Sequence, residues 1–347
     1  MYPEITAKLS HRIWLTSALV LLIAVLPSAE VNAQDSRYAI FSFVQRPANA
    51  RVAGLGGVNV SLADRDQSAF INNPVLTGDT LAGFASAGYQ FFSGGIGQAG
   101  FSWSPVVGKF GMISFGVQHI GYGSITSYDA SGNELGEFTA RETALYVSKQ
   151  RMLGNYRFGA SFKVISSAFA GFRAAAFAID LGGLFVHPNK DLTVGMVIKN
   201  AGFVVRDYTD NSDSSLPFDV QIGATFKPEF MPVRFSITAS RLTNFDHVAY
   251  VNNQPAEPRV LDKVFRHFNF GAEVLVHRNV NVLVGYNYGL HQELKLENAG
   301  GGAGVALGIA TQISIVNFVF SRLTYIAGSP AYNFTLATNL NRMVYKK

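Results

Sequence analysis

NVNVLVGYNY, residues 279–288, is the stretch whose reading decides the fold. Val280, Val282, Val284, Tyr286 and Tyr288 share one parity, while Asn279, Asn281, Gly285 and Asn287 share the other and Leu283 alone breaks the rule. Side chains of a strand alternate sides with period two, so the segment has one oily and one polar face. Its length is that of a tilted strand crossing a bilayer.

The same two-faced pattern recurs along the chain. In residues 156–164, Tyr156, Phe158, Ala160, Phe162 and Val164 oppose Arg157, Gly159, Ser161 and Lys163. In 268–276, Asn269 and Glu273 oppose Phe268, Phe270, Val274 and Val276; residues 235–240 follow suit, and Tyr332, Phe334, Leu336 and Leu340 oppose Asn333, Thr335, Asn339 and Asn341. The physical cause is the medium: a Lys or Arg facing lipid at mid-bilayer costs roughly 2 to 4 kcal/mol, whereas one facing a wet lumen costs little. A soluble β-sandwich also alternates, but these strands are too many and too aromatic for one. The pattern predicts an all-β transmembrane antiparallel barrel of about 14 strands, the barrel occupying residues 81–347.

Loop lengths test that prediction independently. Strands are expected to begin near Leu81, Gly95, Lys109, Ala140, Asn155, Arg173, Asp191, Pro217, Met231, Phe265, Asn279, Gly302, Ser314 and Pro330. Connections then alternate between long polar stretches (121–139, 201–216, 244–264, 289–301) and short ones (105–108, 151–154, 187–190, 228–230, the turn at Arg278, 311–313). Short periplasmic turns and long external loops are what an outer-membrane barrel requires. Within 121–139, the run Asp129-Ala130-Ser131-Gly132-Asn133 is a hairpin signal and predicts a ribbon projecting above the membrane.

Composition narrows the classes further. A chain of 347 residues suits one large barrel, which needs no conventional core. The net charge of +5 is spread over Lys and Arg that stand mostly singly, with no basic run, so nucleic acid is set aside. Absence of Cys removes disulfides and thiol chemistry. Lys8, His11 and Arg12 precede the apolar run 13–26, and Val31-Asn32-Ala33 offers a small-residue cleavage site, so residues 1–33 are expected to be a signal peptide cut before Gln34.

Residues 34–80 read as a hatch folded into the barrel mouth. Arg51, Gly54, Gly56 and Gly57 lead through Asp64 to Asn73-Pro74; the glycines permit tight backbone and Asn-Pro signals a turn. The Gly-x-Gly-Gly run lacks the Lys-Ser/Thr of a phosphate loop and the spacing of a dinucleotide fingerprint. Asp64 and Asp66 lack the ligand count of a calcium loop. His119, His187, His247, His267, His277 and His291 are dispersed without a nucleophile motif, so no catalytic residue, cofactor or metal is expected.

The run ARVAGLGGVNVS at 50–61, followed by Asp64 and Asn72-Asn73-Pro74, resembles the N-terminal signature of the PorV and PorQ branch of FadL-like outer-membrane proteins. QHIGYG at 118–123, DASGNELGEF at 129–138, DLGGL at 180–184 and LPFDVQIG at 216–223 are similar to the PorQ group of that branch, and together the likeness spans the chain after residue 33. The resemblance implies a fourteen-stranded barrel with an N-terminal hatch, serving the type IX secretion system of Bacteroidetes. It also implies partners: a PorZ-like surface protein, within an attachment complex that includes the sortase PorU and the shuttle PorV, processing cargo destined for lipopolysaccharide.

Two functions follow as expectations. One is a scaffold whose external loops dock a surface protein, with Tyr122, Tyr128 and Phe138 in the third connection, and Phe245, Tyr250, Val251 and Pro255 in the longest one, as contact residues. The other is a transporter of small apolar molecules. Arg157, Lys163, Glu273 and several Asn on the lumen parity favour a polar filling and hence the scaffold.

Overall fold

The computed structural model describes residues 39–63, 66–210, 212–243, 250–251, 254–255, 259–294, 302–326 and 329–341. The expected signal peptide and the start of the expected hatch lie outside them. The strands are β1 (Phe84–Phe91), β2 (Gly97–Trp103), β3 (Ser114–Tyr128), β4 (Glu134–Leu153), β5 (Tyr156–Phe169), β6 (Phe172–Val186), β7 (Leu192–Arg206), β8 (Asp219–Phe226) and β9 (Val233–Ala239). A small pair follows, β10 (Tyr250–Val251) with β11 (Gln254–Pro255), and then β12 (Phe268–His277), β13 (Val280–Asn287), β14 (Val305–Ile313), β15 (Val316–Ile326) and β16 (Ser329–Asn339).

All strands but β10 and β11 form one closed antiparallel barrel of 14, in which β9 pairs with β12 and β16 returns to β1. Closure leaves no free edge, which is the condition for a sheet in hydrocarbon. No helix among the described residues is long and apolar enough to cross a membrane. The closed sheet turns apolar side chains outward, as an integral outer-membrane β-barrel that crosses with strands must.

Polarity alternates as the medium demands. On β5, Tyr156, Phe158 and Phe162 are exposed on the outside while Ser161 and Lys163 are buried inside. On β16, Tyr332, Phe334 and Leu336 face out and Asn333 and Thr335 face in. Leu283, the exception in the deciding stretch, is fully buried against Leu55 and Leu62 of the N-terminal segment. It is apolar because its inward neighbour is another side chain, not water.

The structure corrects the sequence reading in three places. Residues 121–139 form the ribbon that the hairpin signal predicts, and the correction is to the strand limits: β3 and β4 pair on to Tyr128↔Glu134, and only 129–133 turn. There the Asp129 carboxylate accepts from Ser131 N (2.8 Å), Asn133 N (2.8 Å) and Asn133 Nδ2 (2.9 Å), a side-chain clamp that lets the ladder grow past the rim. Tyr288 does not extend β13 but opens a helical turn, Tyr288–Leu294. Finally, the lumen does hold an apolar core. Phe41, Phe43, Val44, Phe70 and Ile71 pack against inward Ile120, Ile165, Ala174, Ala176 and Ala178. Small inward residues on β6 make room for the aromatic side chains.

Candidate functional site: the filled lumen and its outer rim

Residues 39–63 and 66–81 occupy the lumen, starting at the long-loop end, where Ile40 N donates to Ser215 O (3.0 Å). Asn49 caps the short helix Ala50–Gly54 by accepting from Val52 N (2.8 Å), and its amide donates to Asp66 Oδ2 (2.9 Å) and Ser68 Oγ (2.7 Å). The helix lies on the inner wall: Ala50 N donates to Thr335 Oγ1 (3.0 Å) and Ser321 Oγ donates to Ala50 O (2.6 Å). A side chain at Gly54 would stand 3.0 Å from Leu283 Cδ1. Gly56 (φ 93°) and Gly57 (φ 95°) then take the left-handed turn that other residues resist.

Inward asparagines of the wall fasten that turn. Asn269 Nδ2 donates to Leu55 O (2.9 Å) and Val58 O (2.6 Å), and Asn287 Nδ2 donates to Gly56 O (3.1 Å). The wall yields space in return, because a Cβ at Gly285 would collide with Gly56 N and Leu55 C. Asn73 is fully buried and donates to Val60 O (2.9 Å) and Met196 O (3.3 Å). Pro74 is buried against Gly159, where a Cβ would sit 3.1 Å from it.

Two charged clusters are buried inside the barrel, and the first holds the filling. Arg51 reaches Glu273 with Nε to Oε1 at 2.7 Å and Nη2 to Oε2 at 3.0 Å, and Arg234 Nη1 meets Oε2 at 2.9 Å. One buried carboxylate from β12 thus joins the N-terminal segment to β9. On the opposite side Lys163 Nζ lies 2.6 Å from Asp180 Oδ2 and donates to Asn200 Oδ1 (2.6 Å). Asn200 stands at a register shift between β6 and β7 with φ 59°, which frees its side chain to donate to Pro217 O (2.8 Å). Buried charges persist only when paired and hydrogen-bonded in this way.

At the short-turn end a cavity of about 540 Å³ remains, lined by Arg51, Asp66, Arg234, His277 and Arg278 among others. Enclosure raises the Asp66 carboxyl above its ordinary range, opposed by the Arg51 guanidinium and by hydrogen bonds from Ser68 and Asn49. No group of three His, Cys, Asp or Glu among the described residues is placed to hold a metal ion.

The expected contact residues are distributed unevenly. Tyr122 turns into the lumen, its hydroxyl donating to Glu142 Oε2 (2.6 Å) and its ring packed on the inner core. Tyr128 is 61% exposed at the ribbon tip beside Leu135, 67% exposed. Phe138 packs on Phe169, ring centroids 5.2 Å apart. Asp64 and Phe245 lie outside the described residues. Tyr250, Val251 and Pro255 belong to the β10–β11 pair.

The long-loop rim also carries a short helix, Val260–Phe265, exposing Val260 and Leu261. Its Asp262 accepts from Arg266 (2.7 and 2.9 Å) and from the Tyr288 hydroxyl (2.8 Å), which raises the Tyr288 pKa by favouring the protonated phenol. Arg241 pairs with Glu293 alongside. Sequence reading missed Arg234, Asp180 and this helix. Parity marks Arg234 as inward, but which acid it meets depends on a register that spacing does not reveal.

No protein-family model matches the chain, and no curated protein matches it. Among solved structures it is similar to the toluene transporter TodX of Pseudomonas putida, with TM-score 0.48 and 12% identity over 84% of this chain and 96% of that one. A FadL homologue of Pseudomonas aeruginosa gives 0.46 and 10% over 84% and 98%. Omp33 of Acinetobacter baumannii gives 0.37 and 9% over 74% and 98%. Likenesses this distant decide nothing about ligand or partner; the fold class stands on the closed ladder of the chain itself.

Proposed function

We propose that the chain is an outer-membrane scaffold of the PorQ kind, docking a PorZ-like surface protein in an attachment complex with PorU and PorV. The observation that carries the reading is the filled lumen. The buried Arg51–Glu273 pair and hydrogen bonds from wall side chains and to wall backbone fix residues 39–63 and 66–81 to the wall on several sides, an arrangement suited to a rigid platform. An apolar solute would have to pass Arg51, Glu273, Lys163 and Asp180, each costly to strip of its partner. The exposed apolar residues of the ribbon tip and of the rim helix supply contact surface beyond the strand ends.

Replacing residues 244–264 by a short Gly-Ser turn, and in a second variant Tyr128 and Leu135 by Ser, tests the reading. Barrel assembly should persist while the surface partner is released into the medium from one variant or both. Retention of the partner by both variants and by their combination would reject these surfaces as the dock.

A further inference from the structure

The outer wall gathers basic residues, against its own polarity rule, where β3 to β7 approach the loops. The pairing registers set His119, Thr143, Ser166, Ala175 and Arg206 in one cross-strand row over β3 to β7. Arg141, Ala168 and Arg173 form the next row toward the loops. On the other side of the first row lie Val117, Leu145, Val164, Phe177 and Phe203, all apolar. Two residues of strand, roughly 7 Å, therefore separate a lipid-facing belt from a basic band.

The band encloses a depression. Ser166, Ala168 and Ala175 are small, and the space above them, about 510 Å³, is bordered by Arg141, Arg173, Arg206 and His119. All four border residues are exposed, and among the described residues none of these arginines is in an ion pair. Three guanidinium groups around one hollow repel one another unless an anion sits between them, and planar forked donors match phosphate oxygens. A free anion would use only the basic band. The apolar row directly beneath it, with Phe177 and Phe203 6.3 Å apart by ring centroid, fits a ligand that carries acyl chains below a charged head.

We propose that this depression binds the phosphorylated headgroup of an outer-leaflet glycolipid, its acyl chains lying down the Val164–Phe177–Phe203 face. Orientation places it in the outer leaflet, since it stands at the long-loop end of the barrel. The inference does not depend on which surface protein the loops dock.

The test uses the full chain, purified and placed in nanodiscs of zwitterionic phospholipid. Phosphorylated lipid A, enzymatically dephosphorylated lipid A and inorganic phosphate are titrated in turn, with bound lipid read by native mass spectrometry. Phosphorylated lipid A should be retained, the dephosphorylated form about tenfold less, as expected for lost charge-assisted contacts. A triple variant, Arg141→Gln with Arg173→Gln and Arg206→Gln, should show a comparable loss, with heat-modifiable gel mobility confirming its assembly. If that variant does not assemble, the comparison of the two lipids on the unaltered protein decides alone. Equal retention of both lipids, binding unchanged in an assembled triple variant, or displacement of the lipid by millimolar inorganic phosphate would each overturn the proposal.

Discussion

Glu273 shows what single residues do in this barrel. It is one carboxylate between two guanidinium groups, and its side chain is almost fully buried. Glu273→Ala leaves Arg51 and Arg234 without their shared anion, and we expect a loss of about 3–5 kcal/mol in unfolding experiments. Lys163 and Asp180 allow a sharper comparison. Lys163→Met alone should destabilise by a similar amount, because the Asp180 charge stays buried, whereas adding Asp180→Leu should recover most of the loss. Equal destabilisation by the single and double variants would show that the cost lies in packing instead of charge. The partner of Lys163 was not legible in the sequence, because parity shows that Asp180 faces inward but not the β5–β6 register, which sets Asp180 opposite Ser161 and so diagonally across from Lys163. Leu283 was legible only as an anomaly, explained once Leu55 is found against it.

Elements were read more easily than residue partners, since strand identity needs only period two and the sign of each face. The strand count was visible for that reason, and the long connections after β7, β9 and β13 showed as polar stretches, but the alternation is incomplete: β5 and β6 are joined by Ala170 and Gly171 alone at the long-loop end, whereas residues 104–113 join β2 to β3 at the other. Strand length was not visible, because beyond the lipid the outer face loses its apolar mark: β3 and β4 continue through Tyr128 and Glu134 on polar residues. The ribbon they form depends on its turn. Hydrogen bonds from the Asn133 side chain and backbone, ahead of smaller contributions from Ser131 and Gly132, hold the exposed Asp129 carboxyl below its ordinary 3.8. A depressed carboxyl contributes stability that is present above its unfolded value and lost as pH falls through the folded one. Amide exchange at Ser131 and Asn133 should therefore stay slow down to about pH 4 and quicken below it, and Asp129→Asn should abolish that acid step. An unchanged profile in the variant would assign the step to another group. At the rim, Asp262→Ala removes the acceptor shared by Arg266 and Tyr288, and proteolysis within Val260–Phe265 should speed up while barrel mobility on gels stays the same.

For the whole molecule, the account is of a barrel whose interior is used for anchoring. Wall and filling are matched: inward glycines stand where backbone approaches, as at Gly285, and inward asparagines stand where backbone carbonyls need donors, as at Asn269. In planar bilayers the unaltered protein should give no conductance steps typical of an open barrel. Gly285→Val, which pushes a side chain into Gly56, should raise conductance by loosening the filling. The basic depression of the outer wall was invisible to the sequence reading, which found no basic run, since its arginines come from three different strands. The most direct test of the central claim is affinity purification of the tagged protein from gently solubilised outer membranes of its native host, followed by mass spectrometry. A large surface protein recovered in near-equal amount is the predicted result; a lone barrel carrying an apolar solute in its lumen would contradict it.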